Sequence, residues 1–256
     1  MKSKRQIPTL KNMKQVYENY TDEDHRVWQI LFDRQIKNLP KAASAAYLEG
    51  LEKVNFSRNE IPDFEKTNKV LEELTGWELV AVEGIVDDKL FFQLLSEKKF
   101  PATTWLRTME ELDYLEEPDM FHDVFAHVPL LVNQSFVDFL QALSAIALEH
   151  IDNTWAIQLI SRVYWFTVEF GLIKENNENR IYGAGILSSA GETKFSLSKE
   201  PIHENYDVRK ILGTSYRKDA FQENYFIIES YEQLFNSISI VRGELDEKLL
   251  EKEESL

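Results

Sequence analysis

A short apolar stretch with two histidines and a nearby proline constrains this chain more than any other feature. His122 and His127 are five residues apart in the segment FHDVFAHVP, which ends at Pro129. Five residues advance an ideal α-helix by about 500°, so the two imidazoles would point about 140° apart. Pro129 cannot donate a hydrogen bond to the carbonyl of Phe125, and its ring crowds that carbonyl. We therefore expect a kink or a π-type turn within residues 122–129 that aims both imidazoles at one point.

A glutamate in a second apolar segment could complete a metal site with these histidines. Glu169 lies in VYWFTVEFG, residues 163–171, where an unpaired carboxylate would be costly to bury. Two histidines and one carboxylate form the ligand set of ferrous iron sites that keep coordination positions open, and the same residue types also bind catalytic zinc. On the local pattern alone, an ion pair with Arg162 or a position on a solvent-facing side of the helix explains Glu169 equally well.

The composition limits the other kinds of site. The 256 residues include no cysteine, which excludes disulfides, zinc–thiolate sites, iron–sulfur clusters and a thiol nucleophile. The formal net charge of −15 disfavours binding to nucleic acid and to anionic membranes. No apolar run reaches the roughly 20 residues that a membrane span needs, and the basic start leads into polar sequence rather than a signal-peptide core. We therefore expect a cytoplasmic protein.

The periodicity of apolar residues predicts a mainly α-helical single domain of packed helices with a few short β-strands. A helix begins after Thr21 and ends at Leu39-Pro40. Further helices are predicted at about 41–53, 63–75, 88–98, 109–115, 119–129, 134–150, 153–173 and 229–250. Strands are predicted at 77–82, 180–182 and 225–228. Residues 1–20 are predicted to form a flexible arm, 21–250 the catalytic domain and 251–256 an acidic tail.

Four motifs in register make the chain similar to the pterin-dependent aromatic amino acid hydroxylases. They are LR at 106–107 followed by LDYLEEPD at 112–119, FHDVFAHVPLL at 121–131, VYWFTVEFGL at 163–172 and YGAGILSSAGE at 182–192. The resemblance covers about residues 20–230 and implies the fold of that family. It also implies that His122, His127 and Glu169 ligate ferrous iron. Ala126 is a departure, because many members of the family have glycine directly before the second histidine.

The resemblance implies further roles around the metal. The substrate-binding residues that it indicates are Arg107, Trp165, Gly185, Ser188 and Ser189. Arg107 would hold the substrate carboxylate through two hydrogen bonds, a task that suits the guanidinium group. A surface ion pair with Glu110 or Glu111 is the other explanation of Arg107, and core packing explains Trp165 nearly as well.

A less similar stretch implies the cofactor side of the site. Backbone groups of Gly84 and Ile85 would pair with the edge of a pterin ring, and Phe91 would stack on its face. Asp123 stands where the family has an acidic residue near the pterin, and Tyr164 is among the aromatic residues that flank the iron. We assign Asp123 and Tyr164 as catalytic.

The resemblance thus implies a monooxygenase that uses Fe(II), a tetrahydropterin and dioxygen to hydroxylate L-phenylalanine to L-tyrosine. L-Tryptophan as the substrate is the nearest alternative. Two alternatives belong to other classes: a zinc-dependent hydrolase with Asp123 as its general base, and a non-catalytic helical binding module. The chain leaves no room for an added regulatory domain or a tetramerising helix, so we expect a monomer that binds neither nucleic acid nor membrane.

Overall fold

Helices form most of the architecture and surround an aromatic core. In the computed structural model, which describes residues 13–113 and 117–254, the α-helices are α1 (Asp22–Ile36), α2 (Leu39–Ala42), α3 (Ala45–Val54), α4 (Phe64–Leu74), α5 (Asp88–Ser96), α6 (Gln134–Glu149), α7 (Thr154–Tyr164), α8 (Ala184–Leu187), α9 (Ala190–Phe195), α10 (Val208–Gly213), α11 (Tyr231–Asn236) and α12 (Ile238–Glu254). Short 3-10 helices cover Tyr17–Asn19, Met109–Glu111 and Val128–Val132. Two segments, Phe121–Ala126 and Trp165–Glu169, are π-helical.

Two small sheets flank the helices. The strands are β1 (Glu78–Val82), β2 (Lys99–Thr103), β3 (Leu172–Glu175), β4 (Glu178–Ile181), β5 (Ile202–Asn205) and β6 (Asn224–Ile228). β1 and β2 pair in parallel, and the larger sheet has the order β4-β3-β6-β5, in which only the β3–β4 pair is antiparallel. β3 begins three residues after Glu169, so this sheet lies directly beyond the second π-helical segment.

Aromatic side chains anchor the segment that carries the two histidines. Phe121 and Phe125 stack on each other with ring centroids 4.5 Å apart. The ring of Trp28 meets Phe121 edge to face at 5.5 Å, and Phe32 meets Phe125 in the same way at 5.5 Å. Because burial of each such side chain contributes about 1.5–3 kcal/mol, this cluster holds the π-helical segment firmly against α1.

The predicted elements agree with the structure where the sequence pattern is regular. Thr21 caps α1 through a capping box with Asp24, and the three predicted strands are found as β1, β4 and β6. The predicted helix 153–173 is wrong at its end, because helical structure stops at Glu169 and β3 follows. The predicted helix 229–250 is two helices that meet at Ser237. Of the predicted helix 109–115, Met109–Glu111 is a 3-10 turn, and residues 114–116 lie outside the described part.

The predicted arm and tail lie partly outside the described residues, namely at 1–12 and 255–256. From Gln15 onward the chain is fastened to the domain. The side-chain amide of Gln15 donates to the carbonyl of Pro62 at 2.8 Å, and the hydroxyl of Tyr20 donates to the carbonyl of Thr104 at 2.7 Å. At the other end, α12 continues to Glu254.

Within residues 13–113 and 117–254, no single helix is long and apolar enough to cross a membrane. The helical segments Phe121–Val132 and Gln134–Glu149 reach that length and apolar composition only when they are taken together. The chain is bent by 112° between them.

Candidate metal centre and active site

The structure brings His122, His127 and Glu169 together at one point. The Nε2 atoms of the two histidines are 3.3 Å apart. Oε2 of Glu169 lies 3.5 Å from Nε2 of His122, and Oε1 lies 3.2 Å from Nε2 of His127. Ligand atoms bound to one divalent ion at about 2.1 Å are separated by about 3.0–3.4 Å, depending on the coordination angle. The three donors therefore fit a single metal ion and leave its other side open.

The first π-helical segment aligns the two histidines. A π-helix has wider turns than an α-helix, so residues at i and i+5 lie nearly one above the other. The irregular turn predicted within 122–129 is confirmed, although it lies slightly earlier, at Phe121–Ala126, and Pro129 sits in the 3-10 helix that follows. The hydroxyl of Tyr47 donates to the carbonyl of Phe125 at 2.8 Å. This bond satisfies the carbonyl that Pro129 cannot serve.

Helix α3 presses closely on the end of this segment. A Cβ atom added at Gly50 would lie 1.9 Å from the carbonyl oxygen of Pro129. Only glycine permits this approach of two backbones. The position of the chain directly after His127 is therefore fixed by backbone contact as well as by side-chain packing.

A second π-helical segment presents Glu169. Trp165–Glu169 continues α7 without a break, and the N–H of Phe170 bonds to the carbonyl of Trp165, five residues earlier, at 2.8 Å. Tyr182 then packs against Gly171, where an added Cβ would lie 2.1 Å from the ring. Arg162, one proposed partner of Glu169, instead donates to the carbonyl of Leu212 and lies over Trp155. The ion-pair explanation of Glu169 is therefore wrong.

Burial and mutual charge set the ionisation of the three ligands. Burial lowers the pKa of His122, which favours the neutral imidazole that a metal needs. Burial by itself would raise the pKa of Glu169, but the imidazoles of His127 and His122 and the hydroxyl of Tyr164 outweigh it, so the pKa is lowered. Glu169 is therefore ionised although its surroundings are largely apolar. The carboxylate is the form that binds a metal.

Neighbouring groups fix the orientation of each imidazole. Nδ1 of His122 is 3.0 Å from the hydroxyl oxygen of Ser188, and the ring of Phe100 packs on His127 with centroids 4.8 Å apart. A hydrogen bond at one ring nitrogen leaves the other free to bind a metal. Ser188, predicted to bind substrate, therefore also contacts a proposed metal ligand.

Arg107 is buried rather than part of a surface ion pair. Its guanidinium group makes two hydrogen bonds to the fully buried carboxylate of Asp119, from Nε and Nη2, each at 2.9 Å. Asp119 also accepts the backbone N–H groups of Arg107 at 3.0 Å and His122 at 3.1 Å. Sequence reasoning missed Asp119 as a site residue. Its place three residues before His122 is a helix-capping signal that could have pointed to it.

A cavity of about 620 Å³ opens over the metal ligands. Most of the residues predicted to form the site line it: Arg107, His122, Tyr164, Trp165, Glu169, Gly185, Ser188, Ser189, Ile85 and Phe91. His127 lies beneath its floor, 4 % exposed. Phe91 meets Tyr164 edge to face at 5.3 Å, and Ile85 is 72 % exposed at the mouth. The volume suits a small aromatic molecule beside a flat cofactor.

Besides His127, two predicted residues do not line this cavity. Gly84 lies just before Ile85, and an added Cβ there would meet only the carboxylate of Glu117, at 3.8 Å. Asp123 is buried, and its Oδ2 accepts the backbone N–H and the hydroxyl of Thr103 at 2.8 and 2.9 Å. Burial raises the pKa of Asp123. Its visible contacts tie the first π-helical segment to the end of β2, and its catalytic role stays a prediction.

The helical fold and the histidine–histidine–glutamate cluster at an aromatic-lined cavity are typical of proteins with a non-haem metal site. A family model described as "Biopterin-dependent aromatic amino acid hydroxylase" matches residues 7–249. The chain belongs to this family.

Relatives and solved structures agree with the family assignment. The chain is 46 % identical to a phenylalanine-4-hydroxylase of Ralstonia nicotianae over 226 residues, which are 88 % of this chain and 72 % of that protein. The structure of Chromobacterium violaceum phenylalanine hydroxylase with iron(III) and 7,8-dihydrobiopterin superposes with a TM-score of 0.88 at 43 % identity, covering 94 % of this chain and 86 % of that one. The iron- and phenylalanine-bound structure from the same organism gives a TM-score of 0.83 at 43 % identity and covers 88 % and 82 %.

Proposed function

We propose that this protein hydroxylates L-phenylalanine to L-tyrosine with Fe(II), a tetrahydropterin and dioxygen. The observation that carries the proposal is the cluster of His122, His127 and Glu169 at the floor of an aromatic-lined cavity. Relatives named phenylalanine-4-hydroxylase support the reaction, and related structures with bound iron, pterin and phenylalanine support the cofactors and substrate. Iron and pterin together supply the activated oxygen that attacks an aromatic ring.

Arg107 is suited to bind the carboxylate of the substrate. Its Nε and one N–H of Nη2 are used by Asp119, and within the described residues Nη1 makes no hydrogen bond. The free edge of the guanidinium group can therefore still offer two parallel N–H donors to a carboxylate. Asp119 locks the rotamer of Arg107 and balances its charge, so little order is lost when substrate binds.

The aromatic wall is suited to hold the substrate ring and to keep out water. Tyr164 and Trp165 are consecutive residues of the helical run that presents Glu169, and both line the cavity. A substrate ring held against them would lie close to an iron ion bound by His122, His127 and Glu169. Burial, and then the neighbouring carboxylate of Glu169, raise the pKa of Tyr164 well above its usual value, so its hydroxyl stays protonated. It can donate a hydrogen bond but does not serve as a base.

One set of assays separates this function from its alternatives. The purified protein is loaded with Fe(II), and products from phenylalanine, tryptophan and tyrosine are followed with a tetrahydropterin while oxygen uptake is measured. We expect tyrosine from phenylalanine in a fixed ratio to the pterin consumed, and no turnover when zinc replaces iron. Hydrolytic activity of the zinc form without pterin dependence would favour the hydrolase. Preferential hydroxylation of tryptophan would assign the alternative substrate.

Two sequence-based expectations stay proposals. We expect the enzyme to act in the cytoplasm, which cell fractionation would test. We also expect a monomer in solution, which sedimentation analysis of the iron-loaded protein would test.

A further inference from the structure

A buried glutamine joins the aromatic wall of the cavity to the connecting segment 214–222, which also contributes to its lining. Gln222 is 3 % exposed, lies outside the cavity lining and was not singled out by the sequence. Its side-chain oxygen accepts the indole N–H of Trp165 at 3.0 Å. Its side-chain NH₂ donates to the carbonyls of Arg217 and Ala220 at 2.8 and 3.2 Å. One amide group therefore ties Trp165 to the connecting segment 214–222.

The same segment packs a second aromatic ring on Trp165. Tyr216 stacks on the indole with centroids 4.3 Å apart and an interplanar angle of 15°. Phe170 contacts the indole as well, with centroids 4.7 Å apart, and packs on Gly185, where an added Cβ would lie 2.5 Å from its ring. Trp165, Tyr216, Phe170 and Gly185 all line the cavity. The position of the indole thus sets the shape of this wall.

A buried glutamate, Glu192, holds the backbone of Gln222. Its N–H donates to Oε1 of Glu192 at 3.3 Å, and the same oxygen accepts the hydroxyl of Tyr225 at 2.6 Å. Glu192 is 6 % exposed and lies in α9, three residues after Ser189, which is predicted to bind substrate. Gln222 therefore connects two parts of the cavity wall: α9 through Glu192 and the aromatic wall through Trp165.

We propose that Gln222 is a positioning residue that sets the choice among aromatic amino acids by holding the Trp165 indole in one orientation. The inference rests on the proposed hydroxylase function. A directional hydrogen bond at Nε1 prevents the indole from turning about its side-chain bonds, which stacking alone does not prevent. With the indole held in one orientation, the width of the cavity is fixed. A ring that is larger than that of phenylalanine, or differently shaped, then fits less well.

The test compares Gln222→Met with wild type in the iron-loaded, pterin-supplied enzyme. Methionine keeps the length of the side chain but removes all three side-chain hydrogen bonds. We expect kcat/KM for phenylalanine to fall by about tenfold, mainly through KM, since one buried hydrogen bond contributes about that factor at most. The KM for the pterin and the iron content should not change. The ratio of phenylalanine to tryptophan turnover should shift towards tryptophan.

Gln15→Met is the matched control. Gln15 also makes three side-chain hydrogen bonds that fasten a connecting segment, to Tyr20, Pro62 and Phe64, and it does not line the cavity. The Gln15→Met variant should have lower thermal stability than wild type. Its KM for phenylalanine and its ratio of phenylalanine to tryptophan turnover should be unchanged. If Gln222→Met behaves in the same way, Gln222 has only a structural role and the proposal is overturned.

Two further measurements and one alternative variant keep the test decisive. In a Trp165→Phe background, Gln222→Met should add little to the loss in kcat/KM, because the bond is already absent; additive losses would contradict the proposal. The indole N–H resonance of Trp165, observed in the zinc-loaded protein and assigned by its absence in Trp165→Phe, should move upfield in Gln222→Met. If Gln222→Met does not fold, Gln222→Glu keeps the acceptor and should retain the wild-type substrate ratio; a shifted ratio would overturn the proposal.

The wild-type enzyme separates this inference from the function on which it rests. If wild type makes no tyrosine with iron and pterin, the hydroxylase proposal fails. If wild type is active and Gln222→Met keeps the wild-type KM and substrate ratio, only the role of Gln222 fails.

Discussion

The close contact between α3 and the histidine segment makes Gly50→Ala the sharpest test of how this fold builds its metal site. The added Cβ would lie 1.9 Å from the carbonyl oxygen and 2.6 Å from the carbonyl carbon of Pro129. Ordinary van der Waals contact begins at 3.4 Å, so the two backbones must separate by about 1.5 Å. Neither is the end of a flexible side chain, and overpacking of this kind costs about 1–3 kcal/mol.

The same shift should weaken the metal site. His127 is two residues before Pro129, and its Nε2 is 3.2–3.3 Å from the other donor atoms. A displacement of even half the required separation would take His127 out of bonding distance of a shared ion. We expect Gly50→Ala to bind Fe(II) at least about tenfold more weakly, the equivalent of about 1.4 kcal/mol.

Gly243→Ala provides the matched control, because it makes the same change within α12 and nothing lies within 4 Å of the added Cβ. Alanine is the better helix former by about 0.8–1 kcal/mol, so Gly243→Ala should stabilise the protein. Urea unfolding and an Fe(II) titration, run on both variants and wild type, give the comparison. Equal gains in stability for the two variants, with normal iron binding by Gly50→Ala, would refute the packing argument.

Three further predictions follow from the site. Alanine at any one metal ligand, His122, His127 or Glu169, should abolish iron binding and hydroxylation and leave the circular dichroism spectrum almost unchanged; near-normal iron content and turnover would refute the ligand assignment. Arg107→Lys should raise the KM for phenylalanine far more than that for the pterin, by about 1.5–3 kcal/mol in transition-state binding, and the reverse pattern would place Arg107 on the cofactor side. Pro129→Ala restores a backbone donor towards Phe125, so we expect a more regular helix and weaker iron binding, and normal iron affinity would contradict this.

The sequence predicted the first half of the metal site better than the second. His122, His127 and Pro129 together carry a conflict with regular α-helical geometry, and that conflict is what predicts an irregular turn. Trp165–Glu169 has no proline and continues the apolar period of α7, so the second π-helical segment could not be foreseen. Tyr182 packs where a side chain at position 171 would lie, directly after this segment, and local periodicity does not report such a contact.

The missed strands and site residues have related causes. β2 contains Pro101, which weakens any strand signal, and β5 has the polar sequence IHEN. Each depends on a partner strand that is distant in the sequence. Asp119 and Gln222 are ordinary loop residues until the fold places Arg107 and Trp165 beside them. Contacts of this kind depend on tertiary structure, which periodicity and local propensity do not report.

The position of the metal ligands gives the ion a second effect, as a reversible cross-link. His127 and Glu169 are separated along the chain by the whole of α6 and α7, so an ion that they share closes a long loop. An ion that binds only the folded chain stabilises it by about 2.7 kcal/mol at a free concentration about 100 times its Kd. Removal of iron with a chelator should therefore lower the melting temperature by several degrees, at about 2–4 °C per kcal/mol for a chain of this size, and Fe(II) should restore it. Under iron limitation, loss of activity would then be accompanied by lower thermal stability of the folded protein.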